Sequence, residues 1–251
     1  MKILEAVSLR KYNTFGIEAK ARFFAEISTQ DEFRELSAGN ILGRVNKLIL
    51  GGGSNILFTK DFDGIIIKNN FKGISVESEN AEHVFVKTGA GENWHSFVLY
   101  CLVNNFAGVE NLSLIPGNVG ACPMQNIGAY GVELKDVFHE LQALEIASGE
   151  IVKFSSADCN FGYRESIFKN IHRNKFIITS VTFRLNKIPK FNTTYGAIEQ
   201  ELEKMGVKEL SITAISKAVC SIRSSKLPDP KEIGNAGRSS GQVSHICSPF
   251  Q

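Results

Sequence analysis

Between Ile115 and Gly131 the chain reads Ile-Pro-Gly-Asn-Val-Gly-Ala-Cys-Pro-Met-Gln-Asn-Ile-Gly-Ala-Tyr-Gly, and no regular element accommodates it. Four glycines and two prolines in these seventeen residues rule out a long helix and a continuous strand. Proline lacks the amide donor that either element needs, and glycine loses the most freedom on ordering. A loop of this length in a compact domain is usually functional. Small residues let a flat, extended ligand lie against the backbone, and the side-chain amides offer donors and acceptors for a ring or a diphosphate. A purely structural crossover is the competing reading. Within the loop, Cys122 has no base or helix start beside it, so filler is expected there rather than a reactive thiol.

A second glycine cluster, Gly51-Gly52-Gly53-Ser54-Asn55, follows the apolar run Leu48-Ile49-Leu50, which reads as a buried strand. Such a loop can turn backbone N–H groups towards a diphosphate, with Ser54 and Asn55 adding donors. A simple tight turn fits the same residues. The spacing is not that of a dinucleotide-binding Rossmann turn, and the lysine of a P-loop is missing. Thr29-Gln30-Asp31-Glu32 reads as a capping box opening a helix with Phe33 and Leu36 inward and Gly39 as its stop. Gly64-Ile65-Ile66-Ile67 adds a strand, making a small α/β unit of roughly the first 70 residues. Beyond it, a hairpin is expected at Ile74–Val76 and Val84–Val86. A helix capped by Asn93 follows, with Trp94, Phe97, Val98, Cys101, Leu102 and Phe106 as core. A second hairpin turns at Ser148-Gly149, between Leu144–Ala147 and Ile151–Phe154. A long strand spans 175–185, and helices cover 197–205 and 213–223. The expected fold class is α+β, with a boundary near residue 70.

Composition narrows the function. The 28 basic and 26 acidic residues are interspersed, so no basic face for nucleic acid is expected. No apolar run approaches the roughly 18 residues that span a bilayer, and no signal peptide is visible, so a cytoplasmic protein without a membrane partner is expected. The five cysteines (Cys101, Cys122, Cys159, Cys220, Cys247) and five histidines (His83, His95, His139, His172, His245) are scattered, which argues against disulfides and against a metal.

Taken in order, five motifs give the chain a family resemblance. They are Asn13-Thr14-Phe15-Gly16, the glycine loop, the Pro-Gly segment, Gly162-Tyr163-Arg164-Glu165-Ser166-Ile167-Phe168, and Lys226-Leu227-Pro228-Asp229-Pro230 with Gly234-Asn235-Ala236-Gly237. Together they resemble the UDP-N-acetylenolpyruvoylglucosamine reductases, FAD enzymes of peptidoglycan-precursor synthesis. The resemblance implies a two-domain FAD-binding fold of the vanillyl-alcohol-oxidase type, with residues 1–70 and 71–226 as FAD-binding subdomains and a substrate domain starting at 227. It implies FAD contacts from Gly51, Gly52, Gly53, Ser54 and Asn55. The second segment would add Pro116, Gly117, Asn118, Gly120, Ala121, Gln125, Asn126, Gly128, Ala129 and Tyr130. It implies NADPH as hydride donor to the flavin and a UDP-sugar enolpyruvate as acceptor. By the same resemblance Arg164 is catalytic, a fixed cation facing the charge that builds beside the substrate carboxylate. Tyr163, Tyr195, Arg223, Lys226 and Asn235 would be substrate-side groups.

The resemblance breaks at one residue. After Gly237 the family continues Ser-Phe-Phe-Lys-Asn-Pro, the serine being its general acid, whereas Arg238 to Gln251 match nothing in it. Ser239 or Ser240 would stand several ångströms from that place, too far for a proton transfer that needs hydrogen-bond reach of about 3 Å. The expectation is a chain whose substrate domain is largely missing or frame-shifted. It would be a monomer with a tendency to associate, either impaired in turnover or a non-catalytic FAD binder.

Overall fold

The computed structural model describes residues 1–195 and 197–226, which build two larger sheets, a two-stranded ribbon and a helix pair. Leu4–Ser8 (β1), Lys20–Ile27 (β2), Asn46–Leu50 (β3) and Phe62–Asn69 (β4) form the first sheet, in the order β1-β2-β4-β3. Strands β2, β4 and β3 run parallel, so their carboxyl ends share one edge, and β1 is antiparallel to β2. Central β4 is apolar on both faces, as a strand covered on both sides must be. Ile65 and Ile67 join Phe33 and Leu36 of helix α1 (Gln30–Ala38), and Ile66 joins Phe24 and Phe58 on the other side.

Helix α1 starts and stops where its sequence says. Thr29 accepts from the Glu32 N–H at 3.2 Å, and Gly39 is the C-cap. The reciprocal half of the expected capping box is displaced by one residue, because Glu32 accepts from Ser28 at 2.6 Å. Strand β3 corrects the reading of Leu48-Ile49-Leu50 as a buried strand. It lies at the sheet edge, and only Leu50 is buried. Three apolar residues cannot distinguish an edge from a centre, since strand order is a long-range property.

Next come Ile74–Glu79 (β5), His83–Gly89 (β6), Trp94–Val103 (α2), Gly128–Ala129 (β7), Val132–Glu133 (β8) and Leu134–Val137 (α3). They are followed by Phe138–Glu145 (β9), Ile151–Ser155 (β10), Ser156–Cys159 (α4), Phe176–Asn186 (β11), Ala197–Lys204 (α5) and Ile212–Lys226 (α6). The second sheet is antiparallel, in the order β10-β9-β11-β6-β5. Helix α2 seals one face: Trp94 and Phe97 pack on Phe183 of β11, with centroids 4.5 to 5.8 Å apart. The expected helix through Phe106 ends at Val103, because Asn105 turns left-handed (φ +57°) and brings Phe106 to the core from a loop. At the second hairpin, β9 stops at Glu145, whose N–H donates to the Glu150 carbonyl, so Ile146 and Ala147 belong to the turn and not to a strand.

Leu144 and Ile177 of the second sheet enter the core under α1, and Asn69 donates to the buried Ile178 carbonyl at 2.7 Å. Helices α5 and α6 enclose a small core of their own, tied back by the Ser113–Ser216 hydroxyl contact at 2.7 Å. Among the described residues no helix is long and apolar enough to cross a membrane, and no cluster of metal-ligating side chains occurs.

Candidate functional site

The two glycine-rich segments, some 65 positions apart in sequence, meet face to face. Gly51 to Asn55 leave the carboxyl end of β3 and pack against Gly117-Asn118. The contact is too close for a side chain at Gly52 and tight at Gly117. A Cβ on Gly52 would lie 2.8 Å from Asn118 Oδ1 and 3.0 Å from Gly117 Cα, and one on Gly117 would lie 3.0 Å from Ser54 Oγ. On the far side, Gly53 (φ +68°) presses on Tyr12-Asn13, and its carbonyl accepts from Thr14 N–H at 3.1 Å. Among the described residues the N–H groups of Gly52, Gly53 and Ser54 have no acceptor. Uncommitted amides in a glycine loop at the carboxyl edge of parallel strands are the donor set a diphosphate needs. FAD fits the residues present on that ground.

Segment 117–120 is itself bound to the start of α2. Trp94 N–H donates to Gly117 O at 3.0 Å, Val119 N–H to Glu92 O at 2.9 Å, and Gly120 N–H to Ala90 O at 2.9 Å. Asn118 donates to Gly91 O at 2.9 Å. The rest of the expected loop is ordered by two short 3-10 turns, Val119–Ala121 and Pro123–Gln125, and by the β7-β8 ribbon. Ala121 and Gly128 are exposed, Gln125, Ala129 and Pro116 half-buried. Asn126 is buried, and its side-chain amide is committed to protein partners: it donates to Gly162 O at 3.0 Å and accepts from Lys135 N–H at 3.0 Å.

That first bond carries the turn holding Arg164. Gly162 and Glu165 close it with bonds of 3.1 and 3.3 Å, and Ser166 Oγ donates to Met124 O at 2.8 Å. Tyr163 and Arg164 stand exposed at its tip, the guanidinium carbon 5.8 Å from the Tyr163 ring. Arg164 adopts φ +51°, a conformation costing roughly 1–2 kcal/mol for a residue with a side chain. Leu114 (φ +58°), Asn126 (φ +42°) and Tyr130 (φ +50°) share it. Four of the nine described non-glycine residues with positive φ therefore lie on or beside the long loop and its tethered turn.

The loop's other end meets α6. Asn111 donates to Tyr130 O at 3.0 Å and to Asn192 O at 2.8 Å, which brings the Tyr130 and Tyr195 rings edge to face at 5.9 Å. Arg223 donates through Nε to Leu114 O at 3.3 Å, and its guanidinium lies close to the Tyr130 phenol. Burial raises the Tyr130 pKa, an effect Arg223 opposes, and burial lowers that of Arg223 itself. His95 accepts from Leu114 N–H at 3.0 Å, and burial and then Arg223 depress its pKa. Tyr130, Tyr195 and Arg223 thus form one group. Lys226 lies exposed on the last turn of α6, and Asn235 falls outside the described residues.

Sequence reasoning missed Asn111, whose only signal was a polar residue in an apolar stretch. It also missed what Asn13 does: its buried side chain clips the turn under Gly53 through Leu9 O at 2.8 Å and both backbone groups of Ile17 at 3.0 Å. Cys122 is buried, and burial pushes its thiol well up; Cys159 is pushed up to about 12. Iodoacetamide at neutral pH is expected to leave Cys101, Cys122 and Cys159 unmodified in the native protein and to alkylate them after denaturation. Rapid native labelling of Cys122, read by mass spectrometry, would restore it as a reactive thiol.

Comparison with known proteins gives the family and the fold. Residues 26–155 match the family described as an FAD binding domain. A UDP-N-acetylenolpyruvoylglucosamine reductase of Amoebophilus asiaticus is 52% identical over 237 residues, covering 94% of this chain and 70% of the relative. One of Flavobacterium johnsoniae is 51% identical over 238 residues, with the same coverage of 94% and 70%. Among solved structures, the reductase from Thermus caldophilus superposes with a TM-score of 0.61 at 18% identity, over 90% of this chain and 68% of that one. A cholesterol oxidase from B. sterolicum has a TM-score of 0.51 at 14% identity, over 74% and 37%, a likeness of fold alone. With an FAD binding domain matched over residues 26–155 and more than half of its aligned residues identical to those of these relatives, the chain belongs to the UDP-N-acetylenolpyruvoylglucosamine reductase family of FAD-dependent oxidoreductases.

Proposed function

We propose that this chain holds FAD along the seam of Gly51–Asn55 and Pro116–Tyr130, between subdomains 1–70 and 71–226. Its chemistry is the NADPH-dependent reduction of UDP-N-acetylglucosamine enolpyruvate to UDP-N-acetylmuramate. That is a cytoplasmic step of cell-wall synthesis, on which cell shape and division depend. The observation that carries this reading is the glycine seam, where a Cβ on Gly52 or Gly117 would meet the facing segment at 2.8 to 3.0 Å and the N–H groups of Gly52, Gly53 and Ser54 have no acceptor among the described residues. When bound, the flavin supplies a two-electron carrier between the nicotinamide and the substrate.

The chain's own residues supply the rest. Arg164 holds a guanidinium on a strained, tethered turn and opposes the negative charge that develops beside the substrate carboxylate. Tyr163 lies under that guanidinium. Arg223 forms no ion pair among the described residues, so its charge is left for a substrate anion, with Tyr195 and Lys226 beside or below it. Asn235 completes the substrate-side set in this reading.

Turnover by the 251-residue chain is expected to fall about a hundredfold to ten-thousandfold below that of an intact family member. Arg238 stands where the family resemblance has the protonating serine. The same departure favours a second reading, a non-catalytic FAD-binding protein. Reconstitution with FAD followed by absorbance, then NADPH consumption with and without the enolpyruvyl sugar nucleotide, separates them. Protein that stays colourless refutes both, and flavin-loaded protein whose NADPH consumption the sugar nucleotide does not raise leaves only the second. A normal family rate overturns the impairment.

A further inference from the structure

Lys68 sits at the carboxyl end of β4, in register with Leu50 of β3 on one side and Glu26 of β2 on the other. A lysine serving only the sheet would pair with Glu26, a carboxylate directly across the strand. Lys68 passes it over: among the described residues it forms no ion pair, and its half-buried ammonium donates to the carbonyl of Gly51, the first residue of the glycine loop. Four positions on, the Lys72 ammonium donates to Gly91 O and stands 3.5 Å from Glu92 Oε2. Asn118 joins the two places, donating to the same Gly91 O at 2.9 Å while its side chain lies against Gly51 and Gly52.

Two ammonium groups therefore flank the seam, and of the two only Lys72 lies within ion-pair distance of a carboxylate among the described residues. Burial and then the charge of Lys72 hold the Lys68 pKa below its ordinary value, against a smaller opposing effect of Glu26. Like charges gathered at a partly dry site are relieved by an anion between them. A bond to one carbonyl leaves the Lys68 ammonium two further N–H donors. We propose that Lys68 is a direct ligand of the cofactor's diphosphate, with Lys72 adding positive charge behind it. The proposal rests on the reading that FAD lies along the glycine seam, and it assigns the diphosphate to the end nearest β4.

The test is FAD affinity by flavin fluorescence titration of the full chain, with the 31P spectrum of the bound cofactor. Lys68→Gln is expected to weaken FAD binding about ten- to hundredfold and to move the diphosphate resonances. Lys68→Arg, which keeps charge and donors, is expected to restore affinity to within a few-fold. An unchanged dissociation constant in Lys68→Gln overturns the proposal. So does a weakened one with unmoved 31P signals, which would make Lys68 a prop for the loop. Gly52→Val distinguishes the two levels: if it abolishes FAD binding while Lys68→Gln does nothing, the seam stands and the lysine assignment falls. If wild type, or Gly52→Val, behaves contrary to the seam reading, both fall together. Circular dichroism of each variant separates lost binding from lost fold.

Discussion

Alanine at Gly53 is expected to abolish FAD binding and to cost roughly 3 kcal/mol or more of stability. The backbone is left-handed there (φ +68°), and a Cβ would lie 2.0 Å from the Tyr12 carbonyl oxygen and 3.0 Å from Asn13 Cα. Neither side can give way cheaply. Asn13 is held by three side-chain hydrogen bonds, and Gly53 by the 3.1 Å bond from Thr14 N–H. Gly16 is the internal control, with φ +63° but nothing within 4 Å of its Cβ position. Alanine there should cost only the conformational strain, about 1 kcal/mol, and leave FAD bound. At about 2–4 °C per kcal/mol for a chain of this size, the two melting temperatures should separate clearly. Equal melting, with FAD retained in both variants, would show that the approach of Gly53 to Tyr12 does not define the loop.

Trp94→Ala is expected to lose about 3–5 kcal/mol, the range for emptying a fully buried aromatic site. Trp94 has no exposed surface, packs on Phe97 and Phe183, and donates from Nε1 to Leu112 O at 2.7 Å. Truncation opens a cavity and leaves a buried carbonyl without its partner. The 3-10 turn Glu110–Leu112 that loses this bond also carries Asn111, which holds Tyr130. The loop end should therefore loosen along with the core. Urea denaturation checks the size: a midpoint shift at constant slope is the expected form. A loss under 1 kcal/mol would mean that the site collapses around the missing ring.

Much of this could be read in the residues themselves. The Thr29 and Asn93 caps, the Gly39 stop and the apolar period of α2 are written within a few positions of where they act, so propensity and pattern reach them. Family membership was legible from five short motifs in order. The likeness of the two glycine-rich segments to flavin contacts came from that resemblance, since each segment alone also fits a tight turn or a crossover. Arg164 shows the limit. Its neighbours describe an ordinary polar turn, and only the folded chain shows its left-handed backbone tied to the long loop through Asn126.

What the sequence determined by itself is local: which stretches become helix or strand, which must be loops, and which family they spell. The tertiary structure decided who faces whom. It placed β3 at an edge, committed the Asn126 amide to protein, gathered Tyr130, Tyr195 and Arg223, and turned Lys68 from Glu26 to Gly51. The physical reason is range. Caps, turns and periodicity are settled by neighbours in the chain. Strand order and the approach of Gly52 to Gly117 depend on packing whole sheets together, and no window of sequence contains both partners.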